Sequence, residues 1–526
     1  MDWSTLKVLG DVMRTNAALY ADKTAFIGPN GAAVSFSALN LRTNALNNAV
    51  TSMGVRKGAR VAILSRNRPE YIETYGLSKS GIIVVPLNWR LAAPEIVRLL
   101  RHSRPEILIV EEAYADMIEP LRAELESVAH FVSIGDARDG WMAYEDLIRG
   151  AQDDEPQVAV TGDDVACLLY TSGTTGAPKG VALTHDAVME DCRAVITEMF
   201  GLRSDDVTLA VMPLFHVGGM WYHMFPSFAA GCTTILLAEF EPGKILRTLE
   251  EHRITNVHLV PTMIGAMINH PLAATVDLGQ LRSIFYAASS MPVDLLKRAM
   301  LTFRSCGFVQ AYGSTEAGVM TVLTAADHLN AGEADREHIL FSCGRPIASS
   351  QIRVVDDADD PVAAGAVGEI SVRSKKIMRE YWLDPEATQR VLADGWLRTG
   401  DLGYLDDAGY LYIRDRKNDM IVTGGENVFP TEVEEFLYRD PDVFEAAVFG
   451  IPDPQWVEKV VAVVVLKPGA AATPDDIIKR LRGKLAAYKC PKSVFLSTDL
   501  PKNAAGKILR KDLRKQYGTD EQGVVS

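Results

Sequence analysis

GARVAILSRNRPEYIETYGLSKSGIIVVPLN, Gly58 to Asn88, carries the pattern on which the fold turns. Gly58–Ser65 is an apolar run of strand length. Arg68–Gly81 spaces its apolar residues for a helix and stops at a glycine. Gly81–Asn88 is again a strand. Outward from this stretch the alternation continues: Ala93–Pro105 reads as a helix and Glu106–Glu112 as a third strand. The pattern returns near Thr255–Met263 and Leu281–Ser289. Strands alternating with helices imply βαβ units and largely parallel sheets. That expectation holds as far as Tyr404.

Beyond Tyr404 the texture changes. Gly403–Pro430 reads as two hairpin strands, a charged stretch and a glycine-rich loop. Thr431 and Glu434 have the spacing of a capping box, so a helix is expected to open at Thr431. Phe444–Ile451 and Val460–Lys467 read as strands. Thr473–Tyr488 reads as a second helix, capped by Thr473 with Pro474 in its first turn. These elements form a small α+β unit of ordinary domain size. The charged stretch Arg414–Asp419 marks the boundary, giving an N-terminal domain of residues 1–415 and a C-terminal domain of residues 416–526.

Bulk properties limit the function. At 526 residues the chain exceeds one ordinary core, and two or three domains are expected. No run approaches the roughly 20 apolar residues of a membrane helix. The N-terminus reads as an amphipathic helix and lacks the basic start, apolar block and small-residue cleavage site of a signal peptide. The six cysteines are scattered, with no CxxC pair or metal clip, and fit a reducing cytoplasm. A net charge of −14 argues against a broad nucleic-acid footprint. Any phosphate site must therefore be built locally.

One loop offers such a site. Tyr170–Gly180, YTSGTTGAPKG, sets Gly173 and Gly176 among Thr171, Ser172, Thr174 and Thr175, and ends on Lys179. Glycines let backbone amides approach an anion, the hydroxyls add donors, and the lysine adds charge. The guest this suits is a nucleoside triphosphate. The familiar GxxxxGK[ST] loop is not met, because Pro178 stands where its second glycine belongs and Gly180 follows the lysine. Taken alone, such a loop also serves as a flexible connector.

Its companions narrow the reading. Ala311–Gly318 is AYGSTEAG, Gly395–Gly403 is GWLRTGDLG, Asp415–Asp419 is DRKND, and Pro501–Arg514 is PKNAAGKILRKDLR. In this order, over nearly the whole chain, the set resembles the adenylate-forming superfamily of acyl-CoA synthetases, peptide-synthetase adenylation domains and firefly luciferases. The resemblance implies a large α/β domain of layered subdomains, a small mobile α+β lid, and an active site between them. It implies two half-reactions. A carboxylate attacks the α-phosphorus of ATP, giving an acyl-adenylate and pyrophosphate. A thiol, from CoA or from a carrier protein, then takes the acyl group and releases AMP.

The resemblance also assigns residues. Thr171–Lys179 would cradle the β- and γ-phosphates, with Mg²⁺ contacted by Thr171 and Glu316, an oxygen-only set that suits this ion. Ala288, Ser289, Tyr312, Gly313, Ser314 and Thr315 would meet the nucleotide, with Tyr312 stacked on adenine. Asp401 would accept both ribose hydroxyls, and Arg416 would hold the ribose and phosphate end. Lys507 would neutralise charge at the α-phosphate. Asn418 falls at the hinge, where relatives often carry Asp or Lys, and Gly424, Gly425 and Glu426 fall at the pantetheine tunnel.

The acyl site follows in the same way. His216 would gate the carboxylate. Val217, Gly218, Gly219, Met220 and Trp221 would form one wall, and Tyr286, Ala287 and Ala311 the other. Relatives often have a Gly-Gly-Ala-Pro run where this chain has Ala287–Ser290, and Ala311 replaces a frequent glycine. His216 is the one basic residue among these positions, which disfavours a dicarboxylate whose far charge would lie unpaired at a cost of several kcal/mol. A hydrophobic acid remains: fatty, aryl or bulky cyclic. Other readings stay open from the residues: an enzyme loading a carrier protein in trans, a luciferase-type oxidase, or a non-catalytic nucleotide-binding relative, which would be expected to lose Lys507, Glu316 or Asp401. A homodimer is also left open.

Overall fold

A computed structural model describes residues 5–526 except 137, 172–178, 290, 332–335, 418, 424–425, 455, 483, 503–506 and 519–526. The opening motif forms as its pattern dictates. Strands Arg60–Leu64, Ile83–Leu87 and Ile107–Glu111 lie side by side and parallel, joined by helices Pro69–Tyr75 and Ala93–Ser103. Gly81, at φ 67°, stops the first connection in the left-handed conformation that glycine adopts without a Cβ penalty. These strands are the centre of an eight-stranded sheet. Its far side is a hairpin, Val165–Thr171 with Lys179–Thr184, edged by Glu380–Tyr381.

A nine-stranded sheet forms the second large layer. Val207–Ala210, Asn256–Leu259, Ser283–Tyr286 and Gly307–Ser314 run parallel within it. Gly307–Ser314 then turns back antiparallel through Gly318–Leu323. The sheet separates two cores by side-chain alternation. Phe285, Val309 and Ala311 face one core, while Ile284, Tyr286 and Phe308 face the other.

Between Ser350 and Arg416 the parallel expectation fails. Ser350–Val355, Gly368–Ser374, Trp396–Leu405 and Leu411–Arg416 form an antiparallel sheet. The last two strands are joined by a turn closing at Gly409, too short for the crossover that parallel pairing needs, whereas Gly368–Ser374 reaches Trp396–Leu405 through the edge strand Glu380–Tyr381 and the helix Pro385–Val391 and still pairs antiparallel.

The C-terminal unit has its own sheet, led by Val443–Asp453 and Val457–Leu466. Val460, Ala462 and Val464 face one core, and Val461, Val463 and Val465 the other. Burial on both faces explains why this strand is apolar throughout instead of alternating. The predicted helices need correction. The first spans Pro430–Tyr438 with Phe429 as its N-cap, so the box of Thr431 and Glu434 does not form. Proline supplies the first helical φ one residue early, which puts Thr431 inside the first turn. Its N–H donates to Asp415 Oδ2 at 3.0 Å, and its hydroxyl donates to the Arg414 carbonyl. The second helix is capped by Thr473 as expected but ends at Leu481.

Glu434, freed from capping, anchors the unit. Both its oxygens accept from Arg510 Nη2 at 2.7 Å, and Oε1 also accepts the Val448 N–H at 2.7 Å. Both side chains are nearly buried, at 10% and 12% exposure. Removing one partner strands the other charge, a loss of about 3–5 kcal/mol. Glu434→Ala should therefore raise amide hydrogen exchange across residues 443–466 by orders of magnitude and leave that of residues 60–64 unchanged.

Candidate active site

The hairpin of the eight-stranded sheet presents the phosphate loop. Thr171 and Lys179 are cross-strand partners, one on each side of it. Ser172, Gly173, Thr174, Thr175 and Gly176 lie outside the described residues. The edge strand Glu380–Tyr381 sets the Tyr381 ring beneath Lys179, with Nζ 4.5 Å from the ring centroid. The Tyr381 hydroxyl donates to Glu316 Oε1 at 3.0 Å. Glu316 is held from its backbone too, since its carbonyl accepts the Met378 N–H at 2.8 Å. Thr171, Lys179, Tyr381 and Glu316 thus form one cluster. Tyr381 was not foreseen, because no motif surrounds it and only sheet pairing brings it here.

A second cluster forms around Asp401. The Tyr312 hydroxyl donates to Asp401 Oδ2 at 2.6 Å, and Arg416 Nε lies 3.5 Å from Oδ1. Burial and the charge of Asp401 push the Tyr312 hydroxyl pKa well up, so it remains a donor at neutral pH. Tyr222 donates to the Ser314 carbonyl at 3.0 Å and braces the turn carrying Gly313, Ser314 and Thr315. Lys507, from the C-terminal unit, shares the electrostatic field of Asp401 and Arg416. Burial, then the charge of Arg416, pushes its ammonium down to about 8 against the pull of Asp401.

The segment around His216 is unusual in its backbone. His216 caps a short helical turn, Val217–Gly219, which widens into a π-helical turn at Met220–Met224. Such bulges are frequent at functional sites. Gly219 is required there, because a Cβ would lie 2.2 Å from the Pro213 carbonyl oxygen. The Gly218 N–H donates to His216 Nδ1 at 3.3 Å. Burial pushes the His216 pKa down to about 4, so the ring is neutral and its proton sits on Nε2. Ala287 and Ala311 face the same core as this segment. Ala288 follows with φ 74°, a left-handed conformation that costs a non-glycine residue about 1–2 kcal/mol. A glycine there would adopt it freely.

Two assigned pocket residues sit elsewhere. Tyr286 faces the opposite core, where its hydroxyl meets His328 Nε2 at 2.8 Å. Strand alternation sends Phe285 toward the His216 segment instead. Trp221 packs among Tyr75 and Phe225 as a core side chain. Beside it is a cavity of about 10 Å³, lined by Val217, Trp221, Thr315, Asp191 and Lys376. Burial pushes the Asp191 carboxyl up to about 6 and the Lys376 ammonium down to about 8. Asp191 accepts the Val319 N–H, and Lys376 donates to Ser349 and Ser350.

The predicted hinge and tunnel positions Asn418, Gly424 and Gly425 lie outside the described residues, and Glu426 is exposed on a short strand. The neighbours of residue 418 are tied in opposite directions. Lys417 pairs with Asp357 at 2.8 Å and Glu369 at 3.3 Å in the large body. Asp419 pairs with Arg514 at 3.0 Å and Arg510 at 3.6 Å in the small one.

Lys507 of the C-terminal unit thus shares the field of Asp401 on the antiparallel sheet, and ligand sites are common between such units. The profile of the AMP-binding enzyme family matches residues 13–382, and that of the AMP-binding enzyme C-terminal domain matches residues 432–507. The chain is 38% identical over 494 residues to a feruloyl-CoA synthase from Amycolatopsis sp, covering 93% of this chain and 95% of that one. It is 36% identical over 509 residues to an indoleacetate–CoA ligase from Aromatoleum aromaticum, covering 96% and 98%. The solved structure of the anthranilate CoA ligase AuaEII with anthranoyl-AMP matches with a TM-score of 0.88 at 29% identity, covering 98% and 99%. The chain belongs to the AMP-binding enzyme family, in its acyl-CoA synthetase branch.

The Lys507 environment sets a pH dependence. The ammonium is present below about pH 8 and lost above it. Adenylation by the free enzyme, followed as kcat/KM in ATP–pyrophosphate exchange, should fall by one proton's slope above that pH. Arg416→Gln removes a neighbouring positive charge and should move the inflection upward.

Proposed function

We propose that this enzyme activates a hydrophobic, aromatic-type carboxylic acid with ATP and transfers it to CoA. The observation that carries the reading is Lys507 of the small body sharing the electrostatic field of Asp401 in the large one and of the Arg416 paired with it. Feruloyl, indoleacetate and anthranoyl substrates in the names of its relatives support the acid class.

In the first half-reaction the acid's carboxylate attacks the α-phosphorus and pyrophosphate leaves. His216, neutral with its proton on Nε2, offers that N–H to the carboxylate. Lys507 offsets the charge that develops at phosphorus, a contribution of about 3–4 kcal/mol by analogy with oxyanion donors. Asp401, oriented by Tyr312, receives the ribose. Lys179, held over Tyr381, meets the phosphate tail. Glu316 and Thr171 would offer oxygens to a Mg²⁺, which would supply charge neutralisation to the phosphates. In the second half-reaction the CoA thiolate attacks the acyl carbon and AMP leaves. Rotation about residue 418 would withdraw Lys507 and bring residues 424–426 to the pantetheine arm. The free thiols suit a reducing cytoplasm.

AMP release from ATP and Mg²⁺, measured over a panel of acids with and without CoA, tests the reading. AMP should form rapidly only with CoA, and for hydrophobic acids over acetate. Pyrophosphate exchange without CoA turnover would point to a carrier-protein thiol instead. Lys507→Ala should slow adenylation by about a hundredfold or more and leave thioester formation from supplied acyl-AMP near the native rate. Equal loss of both half-reactions would contradict two alternating arrangements.

A further inference from the structure

Four rings meet where the two walls of the acyl site converge. His223 lies on the turn that follows Val217–Gly219, and Phe285 lies on the strand that leads into Ala287. Phe200 packs on both, with centroids at 5.7 Å and 5.4 Å. His258 lies on Phe285 at 4.2 Å and faces His223 at 6.3 Å. His258 is the register partner of Phe285 on the neighbouring parallel strand, near its carboxyl end, so both rings project from the same sheet face. In open α/β sheets that end is where ligands bind.

Within this aromatic box the proton positions on His258 are fixed. Its Nδ1 lies 3.0 Å from the Gly218 carbonyl oxygen. A carbonyl only accepts, so Nδ1 carries the hydrogen. Burial holds the ring pKa well below the usual imidazole range, so Nε2 carries none. Nε2 is then a bare acceptor. It is fully buried and has no partner among the described residues. The backbone of Gly218 thus bonds two histidines in opposite senses: its N–H leaves His216 a donor at Nε2, and its carbonyl leaves His258 an acceptor at Nε2. His258 is also close to the site itself, since a Cβ on Gly218 would lie 3.2 Å from its Cε1.

A buried acceptor without a partner is unfavourable in a resting fold, and a ligand that donates to it relieves that deficit. We infer that His258 is a specificity-determining residue, and that the acid this enzyme prefers carries a hydroxyl remote from its carboxylate, which donates to His258 Nε2. The inference rests on the proposed acid–CoA ligase activity and adds to it the chemistry of the substrate's far end. A site built to bond a hydroxyl discriminates against the analogue lacking it far more than an apolar pocket discriminates by size.

The test compares kcat/KM for cinnamate, meta- and para-hydroxycinnamate and para-methoxycinnamate, and for decanoate with its ω-hydroxy derivative. The methoxy acid matches the hydroxy acid in position but cannot donate. One hydroxylated acid should exceed both its unsubstituted and its methoxy counterpart by at least about tenfold. His258→Asn keeps an N–H that can reach the Gly218 carbonyl but has no atom at the Nε2 position. It should lower kcat/KM for the hydroxylated acid at least tenfold more than for the unsubstituted one. Should the variant fail to fold, the native comparison decides alone. Equal turnover of hydroxylated and unsubstituted acids overturns the inference and leaves the ligase standing. Turnover of no acid in the panel overturns both.

Discussion

Asp401 is the point on which the molecule's separate parts converge. Its strand belongs to the antiparallel sheet, its Tyr312 partner comes from the nine-stranded sheet, and Lys507 approaches from the C-terminal unit. A partly buried carboxylate needs donors, and here they come from different layers. Meeting that requirement aligns the layers. Under the proposed function, the same bonds set the orientation in which Asp401 would meet the ribose.

The cationic side of the site is held by the opposite logic. The chain is acidic overall, and its useful positive charges are few and local. Burial first, and the charge of Arg416 second, make the Lys507 ammonium costly. A polyanionic substrate repays that cost, so binding and charge compensation become one event. Lys179 over Tyr381 shows the milder version, an ammonium resting on a ring face whose hydroxyl is committed to Glu316.

Much of this was legible in the amino-acid order. The strands around Gly58–Asn88 follow from apolar runs and glycine stops, and the phosphate loop, Glu316, Asp401, Arg416 and Lys507 sit in short local patterns. What was not legible depends on pairing between distant segments. The antiparallel sheet of Ser350–Arg416 has strands that look like any others, and their direction is set by pairing that local sequence does not show. Tyr381 reaches the site only because Glu380–Tyr381 adds an edge to a hairpin two hundred residues earlier in sequence. His258 lies in no motif, and the role inferred for it depends on a carbonyl forty residues away. Thr431 and Glu434 had the right spacing for a cap, but Pro430 started the helix first and left Glu434 for Arg510.

Lys417 and Asp419, anchored to opposite bodies, make the connection between them very short. A tether of this kind keeps Lys507 at high effective concentration around the cleft, whichever way the small unit is turned. Breaking the ion pairs cannot release it into solution. Under the proposed rotation, ionic strength would act on the balance between the two orientations and leave the tether itself unaffected, so that salt would redistribute time between the half-reactions.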